Sequence, residues 1–210
     1  MVVSRLDRRR LTPVLLFMAL VLAIVACRPA VTSDELQGVV VDPPKEKASF
    51  TLTDTSGDTY EFAAETEGKL TLLYFGYLNC PDICPVHLAQ IAEVFDRVPE
   101  VARQTEVVFV SVDPGRDSRV DIREFLDGFD SRFVGLTGTE EELVAAQEAA
   151  GVPPAVIAGD EEEGYTVDHA GWVIAYAPDG LNHSIYPFGT RQSEWTNDLR
   201  ALAVMDGEKG

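Results

Sequence analysis

The chain has 210 residues, 46% apolar and 25% charged, with 17 basic against 35 acidic residues and a net charge of −18. That length fits one domain with appendages, and that apolar fraction excludes a disordered chain. The acidic excess repels phosphate backbones, so nucleic acid is excluded as a partner.

The chain opens with Arg5, Arg8, Arg9 and Arg10, followed by an uncharged apolar run over residues 14–26. A membrane-spanning helix needs roughly 20 apolar residues, so this run has the length of a signal-peptide core. It ends Ile24-Val25-Ala26-Cys27, which resembles the bacterial lipobox. Residues 1–26 are therefore expected to be a lipoprotein signal peptide, with Cys27 lipidated as the mature N-terminus. An uncleaved signal anchor is the alternative, and it too would export and tether the domain. Removing residues 1–26 takes away four Arg and one Asp, leaving 13 basic and 34 acidic residues and a net charge of −21. Residues 27–47 include Pro29, Thr32, Ser33, Pro43 and Pro44 and read as a tether containing a short strand at 39–41. Acyl chains on Cys27 would hold the domain at the extracytoplasmic face of the cell membrane.

The domain is expected over residues 48–206. Alternating residues at 49–53 and 59–62, around Ser56-Gly57-Asp58, predict a hairpin. Residues 70–77 (LTLLYFGY) form a nearly unbroken apolar run, as a buried central strand does. A helix is predicted over 85–98, with Leu88, Ile91, Ala92 and Phe95 on one face. A second buried strand covers 107–112. A helix then starts at Ser118 or Arg119, with Val120, Phe125, Leu126 and Phe129 as its apolar residues. A short strand is expected at 133–136. Thr139 with Glu142 is a capping box for a helix ending near Ala150, with Gly151 beyond it. Residues 169–177 and 185–188 predict an antiparallel pair around Pro178-Asp179-Gly180, and 193–205 a last helix. Alternating strands and helices followed by an antiparallel pair describe an α/β sheet covered on both faces.

Three cysteines, Cys27, Cys80 and Cys84, are too few for a disulfide framework. Cys80 and Cys84 stand where a buried strand ends and a helix begins, the edge at which open α/β sheets build sites. A helix N-terminus favours thiolate there. Four residues apart in a helical segment, the two sulfurs share one face and can reach one ion or close a disulfide. Two thiolates suit a soft ion such as Cu(I), whereas a structural zinc site wants four ligands. A third ligand would come from a histidine. Spacing alone leaves His87, on the helix, level with His169, which follows the acidic residues 160–163. His183 reads as a solvated turn residue. Asp82, Asp113 and Trp172 read as turn, turn and core residues. Asp168 neighbours His169, but as strand neighbours the two would face opposite ways.

The stretch YFGYLNCPDICP, residues 74–85, closely resembles the signature of the SCO/SenC family. The similarity continues through FTLTDTSGDTYEF (50–62), VSVDPGRD (110–117), FLDGFDSRFVGLTGT (125–139), YTVDHAGWVIAYAPDG (165–180) and YPFGT (186–190). The resemblance implies a thioredoxin-like α/β fold with an N-terminal β-hairpin and a central mixed sheet flanked by helices. It implies a copper ion held by Cys80, Cys84 and His169 and delivered to the copper A centre of cytochrome c oxidase. Expected partners are the oxidase's copper-bearing subunit, thioredoxin-like reductants and other copper carriers. The alternative is a thiol–disulfide oxidoreductase using Cys80 and Cys84 as a redox pair to keep the oxidase subunit's cysteines reduced. A peroxidase is disfavoured, because no Thr and Arg accompany Cys80.

Overall fold

A computed structural model of the chain describes residues 35–160 and 164–205. The expected signal peptide and Cys27 lie outside the described residues, as do the first residues of the tether and positions 161–163 of the acidic loop. Among the described residues no helix is long and apolar enough to cross a membrane.

The strand expected at 39–41 is longer than the composition suggests. β1 (Val39–Glu46) pairs antiparallel with a strand near the C-terminus, so the second half of the predicted tether belongs to the sheet. Prolines 43 and 44 hide this strand in the sequence, yet an edge strand tolerates proline because one row of its N–H groups has no ladder partner to lose. The chain is secured just before β1. Asp198, fully buried, accepts hydrogen bonds on Oδ2 from the backbone N–H groups of Gln37 (2.9 Å) and Gly38 (2.8 Å) and from the Tyr186 hydroxyl (3.0 Å).

The hairpin forms as β2 (Thr51–Asp54) and β3 (Thr59–Glu61), and a short helix α1 (Phe62–Glu65) follows. β4 (Leu70–Gly76) has all seven residues buried, as its apolar run demands. Helix α2 (Ile83–Arg97) begins two residues earlier than predicted, which brings Cys84 into its first turn. A one-turn helix α3 (Pro99–Ala102) leads to β5 (Thr105–Ser111). Helix α4 (Arg119–Asp127) is capped by the Ser118 hydroxyl, which accepts from Asp121 N–H. Its buried residues are Ile122 and Leu126, whereas Val120, one of the apolar residues read in this helix, is 73% exposed. After β6 (Val134–Thr137), the predicted capping box opens α5 (Glu140–Ala149). Gly151, at φ 69°, closes α5, with Val152 N–H reaching Gln147 C=O and Gly151 N–H reaching Glu148 C=O.

The main difference from expectation comes next. β7 (Val156–Asp160) and β8 (Gly164–Asp168) form a separate two-stranded sheet. The predicted strand at 169–177 begins only at Trp172, as β9 (Trp172–Tyr176), so His169 sits in the turn between β8 and β9. β10 (Leu181–Pro187) and helix α6 (Gln192–Leu202) complete the fold.

The eight-stranded sheet has the order β1-β10-β9-β4-β5-β6-β2-β3. β4, β5 and β6 run parallel, joined by helical crossovers, while β9 lies antiparallel to β4 and β2 antiparallel to β6. Such a mixed sheet puts β4 in the middle with its C-terminal end free to carry a site. The register places Val39 beside Ile185, Ile185 beside Ile174 and Ile174 beside Leu73, so β1 starts level with the middle of β4.

Candidate metal centre

β4 ends at Gly76, and the chain turns through Tyr77–Asp82 into α2. Asp82 occupies the N-cap position of α2 but makes no side-chain cap. The cap is supplied by sulfur: Cys84 N–H points at Cys80 Sγ, 3.4 Å away. Pro85, third in the helix, has no N–H to satisfy, so it suits a first turn. Cys80 is 8% exposed and Cys84 fully buried, and both are free thiols. Gly76 makes room for the inner sulfur. A Cβ there would lie 2.8 Å from Cys84 Sγ and 2.7 Å from the Phe109 ring.

His169 reaches the same place from the β8–β9 turn. Its Nε2 lies 3.7 Å from Cys84 Sγ. Its Nδ1 lies 3.2 Å from the Ala170 carbonyl, which can only accept, so in the neutral ring the proton belongs on Nδ1 and the Nε2 lone pair faces the sulfurs. Cys80, Cys84 and His169 each offer one donor atom, and the three atoms lie within 4.8 Å of one another. One soft ion can be reached by all three.

The environment polarises the thiol pair. The Cys84 thiol donating to Cys80, opposed by burial and helped by His169 and the first N–H groups of α2, holds Cys80 far below an ordinary thiol. The same contact with Cys80, reinforced by burial, pushes Cys84 up. The two shifts run in opposite directions, so thiolate is favoured on Cys80 over Cys84. Two tyrosines frame the site. The Tyr74 hydroxyl lies 3.2 Å from Cys84 Sγ and, being buried, is pushed well above a normal phenol. The rings of Tyr77 and Tyr74 meet the His169 ring edge-on at 5.4 and 6.2 Å.

The other candidates fall elsewhere. His87 is fully buried, its Nε2 3.3 Å from the Gly171 carbonyl, and is not among the three clustered donors. Burial lowers its basicity. It supports the turn that carries His169 rather than joining the ligand set. His183, expected to be solvated, pairs through Nε2 with Asp179 at 2.7 Å. Asp168 is exposed at the end of β8. Asp113, read as a turn residue, is 1% exposed and accepts from the Tyr165 hydroxyl (2.7 Å) and from Arg116 Nε (2.6 Å). Sequence reasoning misses Gly76, Tyr74, Tyr77 and this Asp113 pairing. The first three stand inside the apolar run, where nothing separates a residue that packs from one that faces a site.

The chain matches the family described as SCO1/SenC over residues 41–204. It is 31% identical to the SCO2-like protein of Rickettsia felis, over 66% of this chain and 68% of that one. Among solved structures it resembles Bradyrhizobium japonicum ScoI with copper bound, at 30% identity and a TM-score of 0.67, covering 75% of this chain and 99% of that one. It also resembles apo Sco1 of Thermus thermophilus, at 27% identity and a TM-score of 0.71, covering 80% and 96%. The α/β architecture is the thioredoxin-like one of these neighbours. The chain belongs to the SCO1/SenC family.

Proposed function

We propose that this protein is an extracytoplasmic copper carrier that binds one copper ion through Cys80, Cys84 and His169 and delivers it to the copper A centre of cytochrome c oxidase. The observation that carries the reading is the meeting of two sulfurs and one imidazole nitrogen within 4.8 Å at the free end of the central strand. Copper is the cargo. Two sulfurs and one nitrogen form a three-coordinate set suited to Cu(I), and they leave a position through which an incoming ligand on the recipient can attack. The Bradyrhizobium japonicum relative was solved with copper bound. Residues 1–26 act as a lipoprotein signal peptide, and lipid on Cys27 holds the domain beside membrane partners. These include the oxidase's copper-bearing subunit and thioredoxin-like reductants that keep the dithiol open.

The test is anaerobic titration of the reduced full chain with Cu(I). The wild type takes up one equivalent. His169→Ala weakens copper retention, while His87→Ala retains the stoichiometry. Absence of stoichiometric binding in the wild type would overturn the reading. The polarised thiol pair favours a second activity: Cys80 thiolate attacks a target disulfide, and Cys84 resolves the mixed disulfide. That exchange needs no imidazole ligand, so its survival in His169→Ala separates the two activities.

A further inference from the structure

The ligands arrive on two segments, and a third segment ties them together. The loop after β5 runs Val112-Asp113-Pro114-Gly115-Arg116-Asp117. It follows the strand next to β4 and contributes no ligand. Toward the cysteines, Asp117 Oδ2 accepts from Leu78 N–H at 2.9 Å and from the Ser111 hydroxyl at 2.6 Å. Leu78 lies two residues before Cys80, so this bond fixes the start of the cysteine loop. Toward the histidine, Arg116 grips β8. Its Nη1 donates to the Tyr165 carbonyl at 2.9 Å, and its guanidinium lies 3.6 Å from the centre of the Tyr165 ring. Asp113 orients both partners, accepting from Arg116 Nε at 2.6 Å and from the Tyr165 hydroxyl at 2.7 Å. The guanidinium also stands 5.8 Å from the Tyr77 ring, which packs edge-to-face with His169.

This arrangement suits a specific task. β7 and β8 pair only with each other among the described strands, so no ladder to the eight-stranded sheet holds the residues leading into His169. His87 steadies the far side of that segment at Gly171, and polar contacts on the near side can set where the imidazole stands. Arginine fits the need, since its planar fork can donate to a carboxylate and a carbonyl while its face stacks on a ring. A lysine would supply the charge without the fork or the stacking plane.

We propose that Arg116, oriented by Asp113, is a positioning residue that clasps Tyr165 and so holds His169 against the Cys80–Cys84 pair; this rests on the copper-carrier reading above. Loss of the clasp frees the β7–β8 arm, removes the imidazole from the metal for part of the time and leaves copper held by the two sulfurs alone, from which a chelator takes it more readily. Outer partners of metal ligands typically contribute roughly 10–100-fold to metal retention.

The test uses Arg116→Met, which keeps the aliphatic stem and removes the fork, and Arg116→Lys, which keeps the charge. In the full chain loaded with Cu(I), release to a chelator is expected to be about tenfold faster in Arg116→Met, with less than half of that loss recovered in Arg116→Lys. The double variant Arg116→Met/His169→Ala should release copper no faster than His169→Ala alone, because Arg116 acts through the ring. Additive effects, or wild-type release in Arg116→Met, would overturn the proposal. A copper-free readout separates it from the carrier reading. In the apo chain, amide hydrogen exchange of β8 should rise in Arg116→Met while β4 and β5 keep their protection. Unchanged exchange in β8 overturns the clasp even if copper binding itself fails.

Discussion

The cysteines and the histidine stand on unlike supports. Cys80 and Cys84 hang from β4, whose seven residues are all buried in the middle of an eight-stranded sheet. His169 joins β9 to the β7–β8 hairpin, where Val156 and Ile157 are 61% and 58% exposed. One support is core, and moving it would disturb the whole domain. The other leads from a hairpin outside the main sheet, with Val167 buried but its outer residues in solvent, and local opening of such an element requires less free energy than opening the core. The proposed carrier role, which must both keep and surrender an ion, would benefit from the division: the sulfurs stand on the rigid strand end, and the imidazole is the donor on the looser support.

The largest effect should come from attacking the rigid side. Cys84→Ser deletes the inner sulfur while nearly keeping its volume, and it should abolish stoichiometric Cu(I) uptake in anaerobic titration without unfolding the domain. Gly76→Ala crowds the same sulfur, since its new methyl would stand 2.8 Å from Cys84 Sγ and 2.7 Å from Phe109. Overpacking of this kind costs about 1–3 kcal/mol, readable as a lower melting temperature. A pH series sharpens the contrast between the two sulfurs. Cys80 is held below the free-thiol value and Cys84 above it. Lowering the pH from about 8 to about 6 removes roughly two orders of magnitude of thiolate from a free cysteine of pKa near 8.5. Cys80 keeps its thiolate through that window, so its alkylation rate should stay nearly flat, and peptide mapping should find the label on Cys80 before Cys84. The smallest effect belongs to the arm's outer face. Ile157→Ser changes an exposed residue and should alter stability by no more than about 0.5 kcal/mol in a thermal melt.

The rigid region is legible in the sequence and the arm largely illegible, for the same physical reason. Seven buried residues write an apolar run, and Thr139 with Glu142 writes a capping box that the structure reproduces in detail. Val156–Asp160 carries Gly159 in a left-handed conformation beside an acidic stretch, with two of its apolar residues in solvent, so its pattern says loop. The strand start expected at His169 fails because Ala170 and Gly171 are compatible with either a strand or a turn. The cysteines are visible because two thiols four residues apart, set where a buried strand gives way to a helix, are placed to share one ion or one disulfide. His87 and His169 cannot be ranked by spacing, since what separates them is the Gly171 carbonyl that occupies one and the sulfur that faces the other. Arg116 gives no signal at all. Its partners lie 49 residues away along the chain at Tyr165 and three away at Asp113, a pairing that only the folded chain displays.

The hold of Asp198 on Gln37 and Gly38 sets the length of a leash. On the proposed lipidation of Cys27, ten steps of chain lead from the anchor to Gln37, and at roughly 3.3–3.6 Å per step they extend no farther than about 35 Å. The clamped point immediately precedes β1, so a pull from the bilayer falls on that edge strand first. Asp198→Ala would lengthen the line by freeing the start of β1, and the cargo could then drift farther from the membrane without any change in the ligands themselves.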